Sequence, residues 1–244
     1  MKFKTFLLAV GILMSTTVVS YAQTADEIVQ NYLENIGGEE AWKSFNSMRV
    51  TGTAIQTGVE YPFTVISMRP NYQKVVADVM GKEFIEAYDG TVAWGLNPFA
   101  GDTEAQKKTE EESKVAATQS FESDFINYEE KGYTLTLEGK EEVDGVECHK
   151  LKLVKEEGRE EYHFFDPENF VPIMSRTYIQ TGQMKGQAID TYFSDYQEVE
   201  GAGVYIAFNM KQTFNGQTVM EMVNKTVEFN PEDITSDSFA FPEK

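Results

Sequence analysis

Residues 88–101 read YDGTVAWGLNPFAG, from Tyr88 to Gly101. Asp89-Gly90 is a hairpin-turn signal. Beyond it the chain alternates with the period of a strand: Val92, Trp94 and Leu96 on one face, Thr91, Ala93 and Gly95 on the other. An Asn-Pro break follows, then Phe99. The chain carries 40 acidic residues and a net charge of −19. In such a chain, so apolar a face belongs to a core or to a surface that holds something hydrophobic.

The same period extends in both directions. Upstream, strand-like runs cover 48–57, 61–69, 73–79 and 83–88, separated by turn residues. Downstream, Tyr133, Leu135 and Leu137 alternate with polar residues. Further runs follow at 146–154, 160–165, 171–180, 187–196, 204–214 and 217–229. The last two bracket Asn215-Gly216, a second strong hairpin signal. On the run 204–214, Ile206, Phe208 and Met210 share a face. Met220 and Met222 follow, and methionine adapts to irregular apolar partners.

Two segments break the pattern. Thr24 and Glu27 have capping-box spacing, and Ile28, Tyr32, Leu33 and Ile36 repeat at helical intervals until Gly37-Gly38. A short turn with Ala41, Trp42 and Phe45 comes next. Residues 103–130 are rich in helix formers. They predict a solvated helical excursion in which Phe121 and Phe125 lie one turn apart on a common face.

No repeat and no low-complexity linker divides the chain. The predicted fold is mainly β with helices (α+β), one domain over 23–244 with about ten or eleven antiparallel strands. A sheet of that size curls, and the excursion would then cross its open mouth.

Residues 1–22 read as a secretory signal peptide. Lys2 and Lys4 precede an apolar run too short for a comfortable membrane span, and Ser20-Tyr21-Ala22 suits cleavage before Gln23. No cysteine follows that run to take a lipid anchor. The expected location is therefore the periplasm, and the expected form a soluble monomer. The single cysteine, Cys148, leaves no intramolecular disulfide. The acidic field repels nucleic acid and anionic membrane surfaces.

Nothing in the sequence assembles a catalytic constellation. His149 adjoins Cys148, but neighbouring strand residues point to opposite faces. His149 and His163 lack partners at metal-ligand spacing. There is no nucleophile elbow, P-loop or dinucleotide fingerprint. The acidic runs read as solvated faces, and no carboxylate pair stands out. A membrane barrel would need an apolar outer face, whereas Lys150, Lys152 and Lys155 crowd one strand region. No catalytic residue, metal ligand or cofactor is assigned.

The run from Arg69 to Gly101 resembles the periplasmic lipoprotein carriers of the LolA type. The matching elements are Arg69-Pro70-Asn71, Asp89-Gly90, Trp94 and Asn97-Pro98-Phe99. Exported proteins described as outer-membrane lipoprotein-sorting are the branch it resembles more. The resemblance implies an incomplete antiparallel β-barrel closed by helices, with a hydrophobic cavity for acyl chains. It implies that Val92, Trp94, Leu96, Phe99, Phe208 and Met210 line that cavity. It also implies a lid bearing Phe121 and Phe125, held shut by Arg69. The implied function is carriage of lipid or acylated lipoprotein toward the outer membrane, with acceptor proteins at both membranes. The alternative is a sensor that binds such cargo without moving it. This chain departs from the family in its length, its acidity and its highly charged lid segment.

Overall fold

The computed structural model describes residues 23–155 and 158–243, so the expected signal peptide lies outside the described residues. Helix α1 spans Ala25–Asn35 and α2 spans Glu39–Ser44. Five strands follow: β1 (Ser47–Gln56), β2 (Val59–Met68), β3 (Tyr72–Val79), β4 (Lys82–Tyr88) and β5 (Ala93–Leu96). The short β6 (Gln106–Lys107) leads into helix α3 (Glu110–Ala117). The chain returns through β7 (Thr134–Val143), β8 (Val146–Val154), β9 (Glu160–Phe165) and β10 (Pro172–Tyr178). It ends with β11 (Ala188–Glu198), β12 (Tyr205–Phe214) and β13 (Gln217–Phe229).

All 13 strands form one antiparallel sheet in the order β6-β5-β4-β3-β2-β1-β13-β12-β11-β10-β9-β8-β7. Two meanders are joined side by side where β1 pairs with β13, Met48 opposite Phe229 and Ile55 opposite Glu221. The free edges are β6 and β7, which are consecutive in the chain. Segment 108–133 therefore leaves one edge of the sheet and re-enters at the other.

Helix α1 starts at the capping box: Thr24 Oγ1 accepts from Glu27 N–H at 3.1 Å, and Thr24 N–H donates to Glu27 Oε2 at 2.9 Å. It stops at Gly37, whose φ of +106° disfavours other residues. A Cβ there would meet the Gly203 carbonyl at 2.3 Å, so the helix end can press against the loop before β12. Ile28, Val29, Tyr32 and Leu33 are buried in one cluster with Trp42, Leu151, Leu153, Phe165 and Val204. Leu135 and Leu137 of β7 and Val227 and Phe229 of β13 pack on the same cluster. In a flat sheet β7 and β13 would stand about 29 Å apart at the usual strand spacing. One helix pair touches both because the sheet curls around it.

The other face of the sheet is sealed over β3–β5 by the C-terminal tail. Phe239 is fully buried there, and its carbonyl accepts from Trp94 Nε1–H at 2.9 Å. Phe241 meets the Trp94 ring edge-on at 5.9 Å, and Tyr72 lies 5.4 Å from Phe239. Phe239→Ala should cost about 3–5 kcal/mol, as removal of a fully buried ring does. The measurement is urea unfolding, and a midpoint equal to the parent's would mean that the tail does not seal the sheet.

Candidate functional site

Segment 108–133, which bridges the two sheet edges, is the stretch expected to form a lid. Helix α3 has its own capping box, with Thr109 Oγ1 accepting from Glu112 N–H at 3.2 Å and Thr109 N–H donating to Glu112 Oε2 at 2.9 Å. The helix ends at Ala117, so Phe121 and Phe125 lie in turns rather than on a common helical face. The physical reason is competition for the backbone. The Ser120 and Ser123 hydroxyls accept from the N–H groups of Glu122 and Phe125 and favour turns over helix. The two rings then part. Phe125 is buried edge-on against Tyr32 and Phe165, whereas Phe121 lies half-buried beneath Arg69 at 5.2 Å.

Arg69 fastens three parts of the chain. Its Nε donates to the Phe45 carbonyl at 2.8 Å and its Nη2 to the Trp42 carbonyl at 3.1 Å, at the end of α2. The same Nη2 lies 2.5 Å from Glu122 of the lid, and Lys131 holds the other Glu122 oxygen at 3.2 Å. Burial alone would raise the Glu122 carboxyl, but Arg69 and Lys131 outweigh it and hold it below the usual range. Two residues on, Asn71 Nδ2 donates to the Ala117 carbonyl at 2.9 Å and ties down the end of α3.

Under the lid is a cavity of about 440 Å³. Val115, Thr118, Ser120 and Asp124 form its roof, and Gln73, Lys155, Glu161 and Thr177 its floor. An apolar hollow was expected, but most of this lining is polar, because the ends of β8 and β9 bring charges into it. Lys155, 6% exposed, contacts Asp124 at 2.8 Å and Glu161 at 2.9 Å. Arg159 donates to Thr118 Oγ1 at 3.0 Å and lies 3.4 Å from Glu161. Burial would raise the Glu161 carboxyl. His163 at 3.7 Å and Lys155 outweigh burial and take it down to about 2. Burial would likewise lower the Lys155 ammonium, and its two carboxylate neighbours raise it instead. Both groups are therefore charged inside the protein at neutral pH.

The strand register places the residues expected to line a cavity. Leu151, in the cluster with α1, leads by direct pairing through His163, Ser175 and Thr191 to Gln212. Met210 stands two residues from Gln212 and so shares the helix-bearing inner face, as does Phe208. Met210 pairs with Phe193 on one side and Met222 on the other, and Met222 pairs with Ala54. Phe193, Phe208, Met210, Met220 and Met222 are all only partly buried.

Continuing across the sheet, Ala54 pairs with Tyr61, Phe63 with Ala77, and Ala77 with Phe84, all on that inner face. Trp94 pairs with Ala87 and Leu96 with Ile85, both an odd number of residues from Phe84. Trp94 and Leu96 therefore face away from Phe208 and Met210. Trp94, 2% exposed, lies under the tail. Val92 is half-buried in the turn before β5, where its N–H donates to Asp89 Oδ1 at 2.7 Å. Phe99 is 54% exposed, with Lys82 5.4 Å above its ring. The six residues do not form one surface. The residues that sequence reasoning missed are the buried charges Lys155, Glu161 and Asp124. Their only sequence signal was a basic residue placed among apolar alternation, which reads equally as a solvated face.

Cys148 and His149 diverge as strand geometry requires. Cys148 packs with Val143, Phe164 and Met174, and burial raises its thiol to about 11. His149 stacks on Phe170 at 6.4 Å. Among the described residues no helix is long and apolar enough to cross a membrane.

No protein-family model matches the sequence, and no curated protein does either. Solved structures do resemble this chain. A LolA superfamily protein from Nitrosomonas europaea matches 90% of this chain and 98% of its own, with 13% identity and a TM-score of 0.56. A DUF1329 family protein from Desulfovibrio piger matches over the same shares with 10% identity and a TM-score of 0.56. A domain described as an outer membrane lipoprotein-sorting protein, from Vibrio parahaemolyticus, matches 87% of this chain and 94% of its own, with 12% identity and a TM-score of 0.55. What is shared at such identities is the fold: one open, curled antiparallel sheet with few helices.

Glu161 makes the charged cavity testable by pH. Its folded value of about 2 lies below the ordinary 4.5. The stability its charge contributes is thus fully present above pH 4.5 and is lost as pH falls toward 2. Glu161→Gln should destabilise the protein at pH 7 by about 3–5 kcal/mol, since it leaves Lys155 short of a partner. The deficit should shrink on acidification toward pH 2.5. A deficit of equal size at both pH values would assign the effect to packing instead.

Proposed function

We propose that the protein is an exported, periplasmic carrier that binds acyl chains of lipids or lipoproteins without covalent chemistry and delivers them toward the outer membrane. The observation that carries this reading is the row Phe193–Met210–Met222 with Phe208 beside it. These large apolar side chains lie on the inner face of a curled sheet and remain partly uncovered. The similarity in fold to lipoprotein-sorting proteins supports it.

The physics suits a carrier. Each buried methylene contributes about 0.8 kcal/mol, so a chain of a dozen or more carbons has ample driving force to leave water. The charged cavity would repel hydrocarbon, so the chain belongs on the adjoining methionine row. Methionines repack around chains of different length. Release requires the lid to part. Its fastenings to the body include the Arg69–Glu122 pair, the Lys155–Asp124 pair and the Asn71 hydrogen bond, rather than a broad apolar seam.

Binding is measured with a fluorescent sixteen-carbon fatty acid, and transfer with acceptor vesicles of phosphatidylethanolamine and phosphatidylglycerol. The parent should load and deliver. The double variant Met210→Gln, Met222→Gln should bind about tenfold more weakly, the effect of losing about 1.4 kcal/mol of apolar contact. Binding without delivery would turn the reading to a sensor, and parent-like affinity in the double variant would move the chain elsewhere. In a separate test Arg69→Leu should raise loading and release rates together by severalfold. Unchanged rates would make Arg69 a structural fastening only.

A further inference from the structure

The cavity under the lid has a composition that the acyl chain does not use. Its two cations and two carboxylates neutralise one another: Lys155 contacts Asp124 and Glu161, and Arg159 contacts Glu161. A charged ligand would have to break these buried pairs, leaving one partner uncompensated. An uncharged ligand leaves them intact. The rest of the lining offers hydroxyls and amides, among them Thr118, Ser120, Thr177, Gln73 and Gln180. Such groups both donate and accept, which matches a ligand whose own groups do both. The volume of about 440 Å³ lies within the usual range of small-molecule sites.

A second observation points the same way. One step along the inner face from Thr177, the directly paired Ser175, Thr191 and Gln212 form a polar row across β10, β11 and β12. None of these three side chains has a hydrogen-bond partner among the described residues, and Ser175 is only 7% exposed. On the same face Asn224, 7% exposed, leaves its Oδ1 unpaired. Buried polar atoms are normally satisfied, so the open Asn224 Oδ1, on the face that also carries the unpartnered Ser175, Thr191 and Gln212, is complementary to a partner that brings hydrogen bonds. The next inner row is Phe193–Met210–Met222. From Thr191 to Phe193 the inner face of β11 changes from polar to apolar within two residues, about 7 Å at the usual rise.

We infer that the cavity and the Ser175–Thr191–Gln212 row seat an uncharged, hydroxyl-rich head group, a sugar or glycerol moiety, of an amphiphile whose chain lies on the methionine row. The inference rests on the acyl-binding reading for the chain and adds the class of head. It makes the protein selective for neutral polyol amphiphiles over zwitterionic or anionic ones of equal chain length.

The test is calorimetric titration of the full chain with dodecyl maltoside, dodecylphosphocholine and laurate, each below its micelle concentration, and with maltose alone. The maltoside should bind at least tenfold more tightly than the other two. Thr177→Val should remove that preference, and Ser175→Ala should reduce it, in variants whose melting temperature matches the parent's. Equal binding of all three amphiphiles would overturn the head-group inference and leave the acyl reading standing. A preference for phosphocholine or laurate would also overturn it. Binding by none would overturn both. Maltose binding as tightly as the maltoside would support the polyol site and overturn the acyl reading.

Discussion

The pairing of β1 with β13 is the constraint on which the architecture depends. It brings residues as far apart as Met48 and Phe229 into one ladder and converts two local meanders into a single sheet. Once they are joined, the remaining edges are β6 and β7, and the chain between those edges must cross the gap. The lid follows from topology as much as from its own sequence. The same pairing carries the inner face without interruption from Met210 through Met222 to Ala54 and Tyr61.

A strongly acidic chain uses its scarce cations as interior fasteners. Arg69, Lys155 and Arg159 each link the lid to the body of the protein. Buried ion pairs add little net stability, because desolvation offsets most of the attraction. What they supply is definition, since matched charges and directed hydrogen bonds fix one position of segment 108–133 against the sheet. The polar floor, at β3 and β8–β10, and the apolar row, on β11–β13, divide the interior into two chemistries on different strands of one sheet.

Much of the fold was legible. The Thr24–Glu27 capping box and the Gly37-Gly38 stop predicted α1 within a residue or two of its observed ends. Asn215-Gly216 marked the β12–β13 turn, and period-two alternation located most strands. The resemblance carried by Arg69-Pro70-Asn71 implied a lid-holding role for Arg69, whose side chain contacts Glu122, whereas Asn71, for which no role was expected, bonds the Ala117 carbonyl. The two-residue β6 was not legible, because so short a strand carries no period. The helix expected at Phe121 and Phe125 failed for a local reason, the serine hydroxyls that captured the backbone.

The sequence by itself determined which side chains share a strand face and where the chain turns, because both depend on neighbours one to four residues away. It grouped Trp94 with Leu96, and Phe208 with Met210, correctly within each strand. Which of the two groups looks toward the helices was decided only by tertiary structure. That question depends on a register carried across seven hydrogen-bonded strands, β12 to β5 by way of β13 and β1, and a single slip would reverse it. The charged cavity was likewise decided by tertiary structure, because Asp124, Lys155 and Glu161 become partners only when the lid crosses from one edge of the sheet to the other.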